Sequence, residues 1–205
     1  MECSIQGIKR DYKEPDCYTR TPLTRPFLLC ILNCLALTDY DDVVLKAAFT
    51  LAFAGFLRVG EFTYKQADKE LGPTFPNWFL TKGCIKTRAS GGYMEVTLPA
   101  SKTDPFRKGI NLTIATSYDN ACPVSAMKQS LARDTHRAPH EPIFCIGRYE
   151  QRALTREYIV LKLQQLAITA GLGEGMWNSH SFCRGAAMWA AEVRISESEI
   201  QTLGR

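Results

Sequence analysis

The stretch Ala54-Gly55-Phe56-Leu57-Arg58-Val59-Gly60-Glu61 decides how this chain is read. It closes the longest apolar stretch of the sequence, Ala47 to Leu57. That stretch is far short of the roughly 20 residues a membrane-spanning helix needs, so it reads as a core helix. Val44, Leu45, Ala48, Leu51, Ala52 and Phe56 recur at helical spacing, behind an acidic cluster, Asp39 to Asp42, that suits a helix N-terminus. An arginine closing such a helix has two physical readings. It either faces the negative end of the helix dipole, or it is an anion ligand held on a rigid support. Glu61, three residues on, is placed to pair with the guanidinium and steer it. Gly55 and Gly60 permit a bend or a close backbone approach.

Upstream, residues 1–22 read as a charged, proline-punctuated tether without hydrophobic period. Thr24, with Pro26 in the first turn, starts a helix whose buried stripe is Phe27, Leu28, Ile31, Leu32 and Leu35. Downstream the period changes. Residues 78–85, 93–98 and 110–114 read as three short strands, joined by a turn at Gly91-Gly92 and a longer connection over 101–109. The middle strand alternates Met94, Val96, Leu98 against Tyr93, Glu95, Thr97. A helix follows over 123–133, capped near Asn120. Another starts at Thr155, turns Tyr158, Leu161, Leu166 and Ile168 inward, and ends at Gly171. The last two cover 181–193 and 196–203, the second with a Ser196/Glu199 capping box. The order predicts an α+β domain over residues 23–205, mainly helical with a small three-stranded antiparallel sheet, behind a linker at 1–22.

Composition is permissive. The 205 residues carry 25 basic and 21 acidic side chains, a net charge of +4 that is compatible with a nucleic-acid partner without requiring one. The eight cysteines form no C-x-x-C pair, which fits a reducing, intracellular setting. Cys30 and Cys34, four apart on an apolar pattern, read as buried free thiols. His136 and His140 share that spacing, but Pro139 between them argues against a helix presenting both to a metal.

Two further polar groups border apolar elements. Lys102 lies in the connection between strands, in Leu98-Pro99-Ala100-Ser101-Lys102-Thr103-Asp104. His180 opens the helix His180-Ser181-Phe182-Cys183-Arg184-Gly185-Ala186-Ala187, with Arg184 four residues on and roughly on its face. Singly, each has an ordinary reading as a solvated or structural residue. In this order, the Leu-Arg-x-Gly-Glu block, the hairpin lysine and the His-Ser-x-x-x-Gly-Ala-Ala block resemble the tyrosine site-specific recombinases and phage-type integrases. The resemblance runs from about residue 20 to the last residue and is strongest to recombinase domains of eukaryotic mobile elements.

The resemblance implies a DNA partner and chemistry with no metal or nucleotide cofactor. In that family a tyrosine attacks a phosphodiester, and guanidinium forks, a lysine and a histidine stabilise the phosphorane and move protons. By position, Arg58 resembles the first arginine, Glu61 its supporting acid, Lys102 the lysine and His180 the histidine. The second arginine falls where this chain has Cys183, and Arg184 is a tentative substitute. The last tyrosine, Tyr158, precedes His180, whereas the nucleophile follows it. The chain therefore reads as a recombinase domain truncated before its nucleophile and without the separate N-terminal helical domain of the family. Expected behaviour is DNA binding without autonomous cleavage, with nuclear location in a eukaryotic host. Two alternatives stand beside it: an active recombinase when the tyrosine comes in trans or from a longer chain, and a non-enzymatic protein-interaction module. An apolar face around Met188, Trp189 and Val193 is expected to favour self-association.

Overall fold

The computed structural model describes residues 21–65, 76–87, 92–99, 108–173, 175 and 177–204. The expected tether therefore lies outside the described residues except at its last two positions, as does most of the 101–109 connection, Lys102 included.

Helix α1 (Arg25–Asn33) starts behind Thr24 with proline in its first turn, although the Thr24 side chain makes no capping bond. It buries Leu28, Ile31 and Leu32. That stripe leaves Cys30 exposed and Cys34 half-buried, contrary to their expected burial.

Helix α2 (Tyr40–Ala54) is capped by Asp39, whose carboxylate accepts the Asp42 N–H at 3.0 Å. It is buried from Val43 to Phe53 because other elements pack around it. Each large apolar side chain so enclosed contributes about 1.5–3 kcal/mol. The helix does not run on to Arg58, as the sequence reading had it. Phe56 takes φ +53, and its N–H and that of Leu57 bond back to the carbonyls of Phe53 (3.3 Å) and Ala52 (2.8 Å). This is a Schellman stop with phenylalanine where glycine is usual. Of the two glycines, Gly55 is closely approached: an added Cβ would stand 3.1 Å from the Leu51 carbonyl. Gly60 has nothing near it.

After the short helix α3 (Val59–Phe62), the expected strand over 78–85 is replaced by a 3₁₀ turn, Lys82–Cys84, and by strand β1 (Ile85–Thr87). The reason is competition for hydrogen bonds. Lys82 Nζ donates to the carbonyls of Asp134, Thr135 and Arg137, and the Lys82 and Gly83 N–H groups donate to Glu141 and Pro139. The segment is committed to that loop before the sheet begins. Strands β2 (Tyr93–Leu98) and β3 (Ile110–Ala115) complete an antiparallel sheet in the order β1-β2-β3. Met94, Val96 and Leu98 face inward as their alternation requires, and Lys86 stands opposite Glu95.

Helix α4 (Pro123–Arg133) is capped by the Cys122 thiol rather than near Asn120. The Asn120 amide instead ties α1 to α2, accepting from Lys46 Nζ and donating to Asn33 Oδ1. A two-stranded hairpin, β4 (Cys145–Ile146) with β5 (Arg152–Ala153), went unread because strands of two residues carry no period. In α5 (Arg156–Thr169), capped by Thr155, the inward stripe is Ile159, Leu163 and Ala167. Leu161 and Ile168, expected inside, are 51% and 57% exposed. They lie off that stripe by two residues and one, about 200° and 100° round the helix.

Helix α6 (Ser181–Glu192) packs on α2, and α7 (Glu197–Gly204) packs on α6. Gly185 is required where the chain crosses α6, since a Cβ there would meet the Leu23 carbonyl at 1.8 Å.

Candidate functional site

The Schellman stop ends α2 and turns the chain so that Arg58 takes the N-cap position of α3, in extended backbone. Glu61 then holds it twice. Its Oε2 accepts the Arg58 N–H at 2.9 Å, and its Oε1 stands 3.7 Å from Arg58 Nη1. The arginine side chain is 30% exposed and the glutamate 8%. Partly exposed ion pairs contribute on the order of 1 kcal/mol or less, so the carboxylate acts chiefly by aiming the guanidinium. Arg58 Nη2 donates to the Gly204 carbonyl, 3.1 Å away at the last turn of α7. A helix C-terminal carbonyl carries partial negative charge, so this contact marks where an anionic oxygen can be accepted.

Phe182 fixes α6 against this corner. Its ring lies 5.3 Å from that of Phe49 on α2 and 6.1 Å from that of Phe62 on α3. The next residue, Cys183, is half-buried. Burial pushes its thiol up, while the Arg58 charge opposes this and the Glu61 charge adds to it. Arg58, Glu61 and Cys183 are thus electrostatic neighbours. The Cys183 thiol donates to the His180 carbonyl at 3.4 Å. His180 itself is exposed in a turn at the mouth of α6, its N–H donating to Asn178 Oδ1 at 2.9 Å. Arg184 is exposed, and it is Cys183 whose thiol feels the Arg58 charge. Lys102 lies outside the described residues.

Tyr158 belongs to another part of the molecule. Its hydroxyl is pushed up to about 12, first by burial and then by Asp41, Asp42 and Asp39 around the start of α2. Arg58 follows the other end of that 15-residue helix, about 22 Å along its axis at 1.5 Å per residue. A cleft of about 810 Å³ also opens at the Tyr158 end of α2, lined by Tyr40, Arg133, Asp134, Arg137 and Gln151 among others. There the buried Arg137 guanidinium is a staple. It pairs with Asp134 and donates to the Pro142 carbonyl, Tyr40 Oη and Gln151 Oε1. Among the described residues no cluster of three or more His, Cys, Asp or Glu side chains gathers as metal ligands.

No protein-family model matches the chain, and no curated protein matches it. Solved structures do match. One is the crystal structure of XerH site-specific recombinase bound to difH substrate, a pre-cleavage complex. The TM-score is 0.58 at 15% identity, over 91% of this chain. The fold is that of a tyrosine recombinase. The chain spans 47% of the XerH chain, about half its length, and at this identity the likeness is one of fold. The expected α+β architecture with its three-stranded antiparallel sheet is the observed one.

Sequence reasoning missed the Gly204 carbonyl at Arg58 and the Arg156 side chain beside His180, where Nη2 donates to Ser179 Oγ at 2.7 Å. A backbone carbonyl leaves no trace in sequence, and Arg156 reads as an ordinary first-turn helix residue. Phe182 was the one detectable signal: an aromatic fixed between His180 and Cys183.

Proposed function

We propose that this chain binds duplex DNA through its phosphate backbone. Arg58 acts as the anion ligand, Glu61 aims it, Lys102 and Arg184 add charge around it, and His180 adds a hydrogen-bonding imidazole. The carrying observation is the Arg58 corner: a guanidinium aimed by Glu61, 30% exposed, and already donating to the Gly204 carbonyl oxygen. The tyrosine-recombinase fold and the net charge of +4 support the same reading. Phosphate binding of this kind positions DNA without selecting sequence.

Residues 1–205, on this reading, grip DNA and do not cleave it. Tyr158 lies at the far end of α2 with its hydroxyl held protonated, so it is not placed to attack a phosphate on Arg58. Cleavage would need a tyrosine supplied by another chain or by further sequence. We read the domain as a degenerate member of a mobile-element lineage, intracellular, nuclear in a eukaryotic host, and prone to self-association on the α6–α7 side. Among the described residues no helix is long and apolar enough to cross a membrane.

The test is fluorescence anisotropy on a labelled duplex over a salt series. Each phosphate contact contributes about −0.9 to the slope of log K against log salt. Arg58→Ala should weaken binding about tenfold and reduce the slope by about one. Wild-type affinity and slope in that variant would remove the proposal. A covalent adduct from this chain alone, on a nicked suicide duplex, would overturn the non-cleaving half.

A further inference from the structure

His180 is carried by a segment that needs outside support. The turn closes on itself: the Asn178 N–H donates to Ser181 Oγ (3.0 Å), the His180 N–H to Asn178 Oδ1 (2.9 Å) and the Ser181 N–H to the Asn178 carbonyl (3.1 Å). Such a turn is stiff internally, but these bonds do not orient it on the rest of the molecule. Orientation comes from elsewhere. On one side the Leu23 N–H donates to the Ser181 carbonyl at 2.9 Å. On the other, α5 reaches across with two side chains. Gln164 Nε2 donates to the Trp177 carbonyl at 3.2 Å, and Arg156 Nη2 donates to Ser179 Oγ at 2.7 Å.

The Arg156 contact falls on Ser179, directly before the histidine. Ser179 is only 8% exposed, and a buried hydroxyl left without a partner is costly. Arg156 is that partner among the described residues. Its own place is fixed because α5 starts on the Thr155 cap, and the Tyr64 N–H, two residues beyond α3, donates to the Leu154 carbonyl at 3.0 Å. The chain that carries Arg58 is therefore linked to Arg156, and through it to the His180 turn.

We propose that Arg156 is a positioning residue for His180, pinning the Ser179–His180 turn to the start of α5 and so fixing where the imidazole stands. The functional weight of this rests on the DNA-binding reading above; the positioning itself does not.

The two are separated by using two readouts on Arg156→Ala, Arg156→Lys, Ser179→Ala and the Arg156→Ala/Ser179→Ala pair. The chain has three histidines, so the imidazole NMR spectrum is simple, and His180→Gln assigns the signal of interest. Without DNA, Arg156→Ala and Ser179→Ala should each shift the His180 ring signal and leave those of His136 and His140 in place. Arg156→Lys, which can still donate to Ser179 Oγ, should move it less. With duplex DNA, either single alanine variant should weaken binding about fivefold, the worth of one net hydrogen bond. The pair should be no weaker than either alone, because both remove the same contact. The salt slope should stay at the wild-type value. An unmoved His180 signal in both single variants overturns the proposal. So does a slope lowered by about one in Arg156→Ala with Ser179→Ala binding normally, since Arg156 would then be a phosphate ligand itself. Should the wild-type chain bind no DNA, the DNA-binding reading falls while the ring signal still decides the positioning.

Discussion

At the scale of single residues, the corner is defined by what stands at position 183. The resemblance calls for an arginine there, and the thiol found instead is a weak donor with at most one hydrogen. The Cys183 thiol lies within reach of the Arg58 and Glu61 charges, whereas Arg184 is exposed. Cys183→Arg should therefore add a second guanidinium to the corner. The expected result is tighter duplex binding, by about tenfold, with the salt slope steeper by about one. Cys183→Lys should gain less, because an ammonium cannot grip phosphate as a fork. Unchanged affinity in Cys183→Arg would show that position 183 does not face the bound phosphate. Arg58, Lys102 and His180 stand out in the sequence because each interrupts or borders an apolar element, and Glu61 by its spacing from Arg58. Their surroundings do not. The reading of Arg58 as a helix-end cation failed because the helix ends four residues earlier, at Ala54, and is stopped by Phe56 in the left-handed region, where sequence rules expect glycine. The Arg156–Ser179 contact joins residues 23 apart, beyond any local pattern.

At the scale of elements, those with both a cap and a period were readable, and α2, α5 and α7 all start where their caps put them. Errors arose where tertiary contacts compete. Lys82 and Gly83 bond to the loop at 134–141 and cancel most of an expected strand, and α5 turns a different stripe inward than its larger apolar residues indicated. Helix α7 shows how a local cap bears on the site. Ser196 N–H donates to Glu199 Oε2 at 3.1 Å, and the Glu199 N–H donates back to Ser196 Oγ at 3.4 Å. The Ser196 hydroxyl, donating to Glu199 Oε2 at 2.5 Å, and then the Ser196 N–H favour the charged carboxylate and lower its pKa from the ordinary 4.5. A group whose folded pKa is depressed stabilises fully above its unfolded value, and that contribution is lost as pH falls through the folded one. The start of α7 should therefore loosen below about pH 4.5, and with it the Gly204 contact at Arg58. Amide protection in α7, relative to the intrinsic exchange rate at each pH, should fall over that acid range in the wild type, while Glu199→Gln should be less protected at neutral pH and flat with acid. Matching pH profiles would show that the carboxylate is not what holds the helix start.

At the scale of the whole molecule, the α6–α7 side is the least well covered. Met188, Val193, Ile195 and Leu203 are 43%, 50%, 37% and 39% exposed. Trp189, expected in the same face, is instead packed 6.0 Å from Phe53 with the Arg25 guanidinium 5.0 Å above it. The remaining patch is too small for a strong interface. Burying a large apolar side chain completely gives about 1.5–3 kcal/mol, so partial burial of these four on each partner yields several kcal/mol. Association itself costs about 4–15 kcal/mol in lost translational and rotational freedom. The balance is close to zero, so self-association should be weak, with a Kd of roughly 1 mM or higher. Sedimentation velocity should accordingly show a monomer at low concentration and a growing dimer fraction as concentration rises. Met188→Glu with Val193→Glu should abolish the rise, because both charges would have to be desolvated at the contact. A chain that remains monomeric throughout would show that the exposed side chains are too scattered to form one surface. A tight dimer indifferent to both substitutions would place the interface elsewhere on the molecule.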